Sequence, residues 1–324
     1  MNNTLRYKVA KSLMKLFPAT PQKMDLSLWE IFKDNYYTQA DPVMQKTIRG
    51  QSAQFRYDYE RAAFSLFDKY FPSIDQNKFI GKTVLDLGSF TGGRLVYWME
   101  RHKFKKGVGL DINPVFAQAG NEFANIHGVN ATFDTGYGES LPYHDDSFDF
   151  IVTFDVFEHV QDVEQVVHEC YRVLKPGGIL LAVFPQFFQP LEAHLGLVTS
   201  LPALHWFFPG ETLTAAYNDI ISERGAEASW YAREKTTLRD WEMLPSVNGI
   251  TVKYFRNIIS SNKGWRLVYK NKAPILSDGR RANKLLFRLL RLAFIIPARM
   301  PVLEELFLGR ICWAIEKRQT EPIE

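Results

Sequence analysis

Cysteine is scarce in this chain: Cys170 and Cys312 are the two present in 324 residues. They lie far apart in sequence, so neither a disulfide framework nor a cysteine metal site can be built from them, and the pattern fits a reducing compartment. Charge of one sign is scarce as well. The chain has 39 basic against 36 acidic residues, a net charge of +3. That balance is too small to argue for nucleic acid as the main partner. Long apolar runs are missing: no uncharged stretch approaches the roughly 20 residues needed to span a bilayer. Lys8, Lys11 and Lys15 break up the first helix-like stretch, so no signal-peptide core is expected. A cytoplasmic protein is expected. No internal repeat and no low-complexity segment is found.

The most informative stretch present is Val84-Leu-Asp-Leu-Gly-Ser-Phe-Thr-Gly-Gly93, followed by Gly107-Val-Gly-Leu-Asp-Ile112. The first piece is an apolar strand running into a glycine turn. Asp86 sits inside that strand, where an unpaired carboxylate is costly, so it is expected to have a hydrogen-bonding role. Gly88, Gly92 and Gly93 allow a sharp turn and a close backbone approach to a ligand. The second piece is a strand that ends on Asp111. An acid there typically binds the two hydroxyls of a ribose. Together these features predict an adenosine-containing cofactor. The turn has Phe90 where a nicotinamide Gly-x-Gly-x-x-Gly fingerprint needs its middle glycine. It also lacks the Gly-Lys-Ser/Thr ending of a phosphate-cradling loop.

This turn resembles the Asp-x-Gly-x-Gly turn of class I S-adenosylmethionine (SAM) methyltransferases, with Phe90 departing from the usual glycine. The resemblance continues from Glu139 to Phe184. That segment reads Glu-Ser-Leu-Pro-Tyr-His-Asp-Asp-Ser-Phe-Asp-Phe-Ile-Val-Thr-Phe-Asp-Val-Phe-Glu-His-Val, then a helix, then Arg172-Val-Leu-Lys-Pro-Gly-Gly-Ile-Leu-Leu-Ala-Val-Phe184. It covers roughly Lys82 to Pro185. The resemblance implies a Rossmann-like α/β fold with a seven-stranded sheet, and SAM as cofactor. By the same resemblance Asp86, Gly88, Ser89, Gly92, Asp111, Ile112, Gly138, Glu139 and Phe154 would line the cofactor site. Tyr137 stands where many members carry an acid. The expected activity is methyl transfer to a small-molecule acceptor at oxygen.

Apolar periodicity predicts strands at Thr83–Leu87, Gly107–Asp111, Ala131–Thr135, Phe148–Thr153, Ile179–Phe184, Trp265–Lys270 and Arg310–Glu316. A helix is expected over Val163–Leu174, through Val163, Val166, Val167, Cys170 and Leu174. Residues 1–80 read as a helical cap, with Leu5, Val9, Leu13 and Leu16 on one face. The core is expected over 81–324, as one domain carrying insertions at about 186–250 and 277–308. The first insertion, rich in aromatics and histidine, reads as a lid.

Two catalytic arrangements are open. His194 or His205 could be the base that deprotonates an alcohol or phenol. Alternatively, Asp155, Glu158 and His159 lie at i, i+3 and i+4. If they open a helix they share a face and could hold Mg²⁺. Their spacing resembles the Glu-x-x-Glu-His metal motif of quinone-precursor and small-RNA 2′-O-methyltransferases, with Asp155 in place of the first Glu. Two further readings follow: a metal-dependent RNA 2′-O-methyltransferase, which the modest charge disfavours, and a SAM-binding regulator without turnover. Asp155-Val-Phe-Glu158 replaces the Asp/Asn-Pro-Pro-Tyr/Phe of adenine amino-methylation. Finally, Arg281, Lys284, Arg288 and Arg291 form a basic stripe in the otherwise apolar segment 280–296. It could lie on an anionic membrane or be a lid helix with its charged side in water.

Overall fold

The computed structural model of the protein describes residues 3–18, 37, 39–62, 65–190, 195, 198–224, 248–271, 274–275, 285–300 and 303–319. In chain order the elements begin with α1 (Asn3–Leu16), α2 (Pro42–Ala62), α3 (Leu66–Tyr70), β1 (Thr83–Leu87), α4 (Gly93–His102), β2 (Lys106–Asp111) and α5 (Pro114–His127). Next come β3 (Ala131–Thr135), β4 (Phe148–Phe154), α6 (Val163–Val173), β5 (Leu174–Phe184), α7 (Leu204–Phe207) and α8 (Gly210–Arg224). The last are α9 (Val252–Ser261), β6 (Trp265–Lys270), α10 (Leu285–Phe294), α11 (Glu304–Phe307) and β7 (Ile311–Lys317).

All seven strands join one sheet in the order β3-β2-β1-β4-β5-β7-β6. Strands β1 to β5 pair in parallel, as strands joined by helical crossovers do. Strand β7 runs antiparallel to both β5 and β6, closing that edge of the sheet. The strand order reverses between β1 and β4, and the crevice outside their carboxyl ends is where open α/β sheets bind ligands. The strands begin and end within a few residues of their sequence-based bounds. The largest difference is β5, which starts at Leu174, so the helix α6 stops at Val173.

The chain divides into two compact units, one of 42–184, 253–272 and 311–324, and one of 1–41, 185–252 and 273–310. This redraws the expected cap: residues 42–80 belong with the sheet, and residues 1–41 with the insertions.

Local chemistry sets the helices of the sheet unit. In α5, Pro114 occupies the first turn, Asn113 Oδ1 accepts the Val115 N–H at 3.0 Å, and Gly128 closes the helix in the left-handed region. In α6, Asp162 Oδ1 accepts the Gln165 N–H at 2.9 Å, and the predicted Val163, Val166, Val167 and Cys170 are buried. Cys170 and Cys312 are both buried thiols outside any disulfide, and burial pushes the Cys170 thiol up, so Cys170 is not a reactive thiolate.

The aromatic core under α4 holds an acid. Phe67 packs on Phe79 and on Trp98 at ring distances of 4.6 and 5.0 Å. Beside them Glu60 is buried, and its Oε1 accepts both the Leu66 N–H and the Trp98 Nε1–H, each at 2.8 Å. Desolvation outweighs these bonds and raises the Glu60 pKa to about 7.

In the other unit α1 packs on α8. Ala10 and Met14 are buried with Leu213, Ala216, Tyr217 and Ile220. Lys11 bridges Asp219 and Glu223, each at 2.9 Å. The buried face of α1 is therefore rotated from the sequence reading: Val9 and Leu13 pack at its edge, while Leu5 and Leu16 stay exposed. Among the described residues no helix is long and apolar enough to cross a membrane.

A pH test follows from Glu60. A carboxyl with a raised folded pKa holds its proton longer in the folded chain, so stability falls as pH rises from the ordinary carboxylate range through about 7. Glu60→Gln keeps an acceptor for both N–H groups and removes the charge. It should match wild type near pH 4.5 and exceed it by about 1–3 kcal/mol at pH 8, read from denaturant unfolding at both pH values.

Candidate active site

The candidate cofactor site is built on the turn that follows β1. Asp86, the fourth residue of that strand, has no solvent exposure. Burial pushes its pKa up, and Arg94 opposes the shift. Arg94 stands in the first turn of α4, with its guanidinium 2.6 Å from Asp86 Oδ1 and 3.4 Å from the Gly88 carbonyl oxygen. It also lies over the rings of Trp98 and Phe154, at 5.1 and 5.4 Å. A cation in the first turn of a helix opposes the macrodipole, so its carboxylate partner is what justifies its place.

The turn itself is held by β2. The N–H groups of Gly88 and Ser89 donate to the Leu110 carbonyl oxygen at 2.8 and 3.1 Å. Gly88 has φ 76°, and a Cβ there would collide with the Val156 side chain. Gly92, at φ 80°, sits so tightly against Gly120 and the Phe133 ring that a Cβ would come 2.6 Å from both. The groups crowding Gly92 are therefore protein groups of α5 and β3. Gly93 likewise abuts the Ala53 backbone of α2.

Asp111 ends β2 half-buried, as expected. Its Oδ2 accepts the Phe90 N–H at 2.9 Å and its Oδ1 the Asn113 N–H at 3.1 Å. Burial raises its pKa to about 6, and these backbone donors limit the rise. Ile112 follows directly, also half-buried. Phe90 fills the place of the missing glycine with φ 50°, and its ring packs on Phe116 at 4.2 Å beneath the Arg56 guanidinium at 4.6 Å. At the end of β4, Asp155 is also left-handed, with φ 56°. Two non-glycine residues in this region, one beside each strand of the switch point, are the kind of backbone strain that collects at functional sites. Two buried hydroxyl oxygens have no hydrogen-bond partner, Ser89 Oγ in the turn after β1 and Thr153 Oγ1 near the end of β4.

Gly138 is buried, and Tyr137 pairs with Ser140 in an isolated bridge. Glu139 Oε1 accepts the Gln161 N–H at 2.9 Å, tying the loop after β3 to the one after β4. Phe154 is half-buried, against Tyr70 at 5.8 Å.

The metal reading does not survive. Asp155 to Val160 form a bend and a turn, not the start of a helix. The left-handed Asp155 breaks the helical spacing on which a shared face depends. Glu158 is buried, and the nearest approach of its carboxylate to His159 Nε2 is 3.8 Å. Among the described residues no three His, Cys, Asp or Glu side chains form a group able to hold a metal ion. His205 lies in the other unit, buried, with Nε2 2.6 Å from the Phe187 carbonyl oxygen. His194 lies outside the described residues. Arg94 and Arg56 were missed from sequence. The signal for Arg94 was its position, eight residues after a strand carboxylate and in the first turn of a helix.

Residues 85–182 match the family described as "Methyltransferase domain". A ubiquinone/menaquinone biosynthesis C-methyltransferase of Vibrio campbellii is 31% identical over 199 residues, covering 57% of this chain and 72% of that protein. The chain belongs to the class I SAM-dependent methyltransferases. Malonyl-[acyl-carrier protein] O-methyltransferase 1 of Coxiella burnetii is 30% identical over 191 residues, covering 57% of this chain and 64% of that enzyme. Norajmaline N-methyltransferase of Rauvolfia serpentina is 32% identical over 99 residues, covering 30% of this chain and 34% of that enzyme. The chain spans about a third to a half of the length of the norajmaline enzyme and of a demethylmenaquinone methyltransferase from Thermus thermophilus. The residues of the crevice fit SAM: an acceptor carboxylate at the end of β2, a glycine turn at the end of β1, and buried hydroxyls still seeking partners.

Two tests address this geometry. Asp111→Ala should weaken S-adenosylhomocysteine binding by about 1–3 kcal/mol in calorimetry, the loss of charge-assisted bonds to a ribose. Because an ionised Asp111 is the better acceptor, wild-type affinity should also fall as pH drops through about 6. Arg94→Met strands a buried carboxylate and should cost about 3–5 kcal/mol in denaturant unfolding, whereas adding Asp86→Asn to it should recover part of that loss.

Proposed function

We propose that the protein transfers the methyl group of SAM to an oxygen atom of a small-molecule acceptor. SAM, when bound, supplies an electrophilic methyl on sulfur together with its own leaving group. The chain's part is to hold the ribose at Asp111, to align the acceptor and to exclude water. A hydroxyl acceptor also needs a base.

The observation that carries the oxygen reading is the state of His205. Its Nε2 sits 2.6 Å from a backbone carbonyl oxygen, which places the ring hydrogen on Nε2. Its Nδ1 keeps a lone pair and has no hydrogen-bond partner. Burial lowers its pKa, so the ring is neutral at physiological pH. A neutral imidazole is suited to take a proton from an alcohol or phenol, and for His205 to do so its buried Nδ1 must become accessible to the acceptor. The Coxiella relative is named for an oxygen acceptor, the Vibrio one for carbon and the Rauvolfia one for nitrogen, so the family resemblance leaves the acceptor atom to the chain's own residues. The aromatic content of 198–208, with Trp206 and Phe207 exposed, favours a small apolar acceptor over a charged polymer.

Labelled methyl-SAM incubated with a cell extract, followed by untargeted mass spectrometry, should reveal a small molecule carrying the label on oxygen. With that acceptor in hand, His205→Ala should lower kcat by about 10²–10⁴-fold and leave SAM affinity unchanged. Label on nitrogen or carbon, or an unchanged kcat, would overturn the oxygen reading and leave alignment as the source of rate.

A further inference from the structure

Helix α10 leaves an apolar face in solvent. Leu289, Leu292 and Ile296 are 56%, 60% and 70% exposed, and Met300 is 46% exposed. Leu289 and Leu292 lie at i and i+3 on one face of α10, Ile296 stands in the turn that follows, and Met300 comes after the 3₁₀ turn Pro297–Arg299. Phe294 turns the other way and packs on Phe307 at 5.2 Å. The helix is thus anchored to its own unit on one side and bare on the other. A lone exposed leucine needs no explanation, but four large exposed apolar residues within twelve positions do.

Charge identifies what suits this face. The sequence from 279 to 303 contains six basic residues, Arg280, Arg281, Lys284, Arg288, Arg291 and Arg299, and no acid. We propose that this face docks the protein on an anionic lipid surface, with Leu289, Leu292, Ile296 and Met300 entering the headgroup boundary. Arg291 and Arg299 belong to the described part of the stretch, and Arg299 is exposed beside Met300. A row of apolar side chains with cations and no acids along it is the composition of an interfacial helix. A second copy of the chain fits the face less well. A two-fold contact sets each patch against itself, which would bring the same cationic stretches together. An acidic protein groove would satisfy the charge, but it would not account for a row of apolar residues that a bilayer boundary accepts at any register.

The test is flotation of the purified protein with phosphatidylcholine vesicles, with and without phosphatidylglycerol. Wild type should float with the anionic vesicles and not with phosphatidylcholine alone, and high salt should weaken the association. Leu292→Asp with Ile296→Asp should reduce binding about tenfold or more, and Arg291→Glu with Arg299→Glu should reduce it on anionic vesicles. All these residues are exposed or half-buried, so an unchanged melting midpoint and unchanged S-adenosylhomocysteine affinity confirm that the variants fold. Wild type that stays in solution, equal flotation of the Leu292/Ile296 variant, or equal binding to neutral vesicles would overturn the proposal. So would a wild-type dimer that the Leu292/Ile296 variant converts to monomer, which would make the face a contact between copies. None of these outcomes depends on the acceptor or on turnover.

Discussion

One buried ion pair organises the switch point of the sheet. Asp86 has no contact with water, so its charge is tolerable only because Arg94 reaches back to it from the first turn of α4. That reach ties strand, turn and helix together, since the same guanidinium also touches the Gly88 carbonyl oxygen and lies over Trp98 and Phe154. A hydrophobic pair of similar volume would often be as stable or more so. The charge pair differs in being directional. It fixes where the turn after β1 begins relative to the helix after it, and this turn must present its backbone in one register to a cofactor.

From that point the electrostatics grade outward. Glu60 and Asp86 are buried acids with raised pKa values, and Asp111, at the rim, is raised to about 6 while two backbone N–H groups hold it. The inner acids are satisfied within the protein, by Trp98 and Leu66 in one case and Arg94 in the other. Asp111 retains oxygen lone pairs for a ligand, because a carboxylate has about four acceptor sites and the Phe90 and Asn113 N–H groups take one each. Depth therefore separates structural carboxylates from the one poised to bind.

Much of this was legible in the chain. Strands such as Val84–Leu87 and Phe150–Thr153 are apolar runs between turn signals, and local pattern and tertiary burial agree there. The acid at the end of β2 was readable because its role depends on its place in the strand. What escaped depends on contacts distant in sequence or on one dihedral angle. The partners of Glu60 and the ring stack of Arg56 on Phe90 come from residues separated by up to 38 positions. The helix expected after β4 failed because Asp155 takes φ 56°, and with it went the metal face. The inner face of α1 centres on Ala10 and Met14, to one side of the Leu5–Val9–Leu13–Leu16 stripe, with Lys11 at its edge paired to two acids of α8. Periodicity reports which side of a helix is apolar. It does not report a lysine that finds its counter-ions.

The central claim is that the crevice at the ends of β1 and β2 holds SAM through a ribose-binding acid and a glycine turn without a dinucleotide fingerprint. Calorimetric titration of the wild-type protein with S-adenosylhomocysteine and, separately, with NAD tests it most directly. One-to-one binding of S-adenosylhomocysteine in the micromolar range or tighter, with no heat from NAD, is the predicted result. No binding of S-adenosylhomocysteine, or comparable affinity for NAD, would contradict the account.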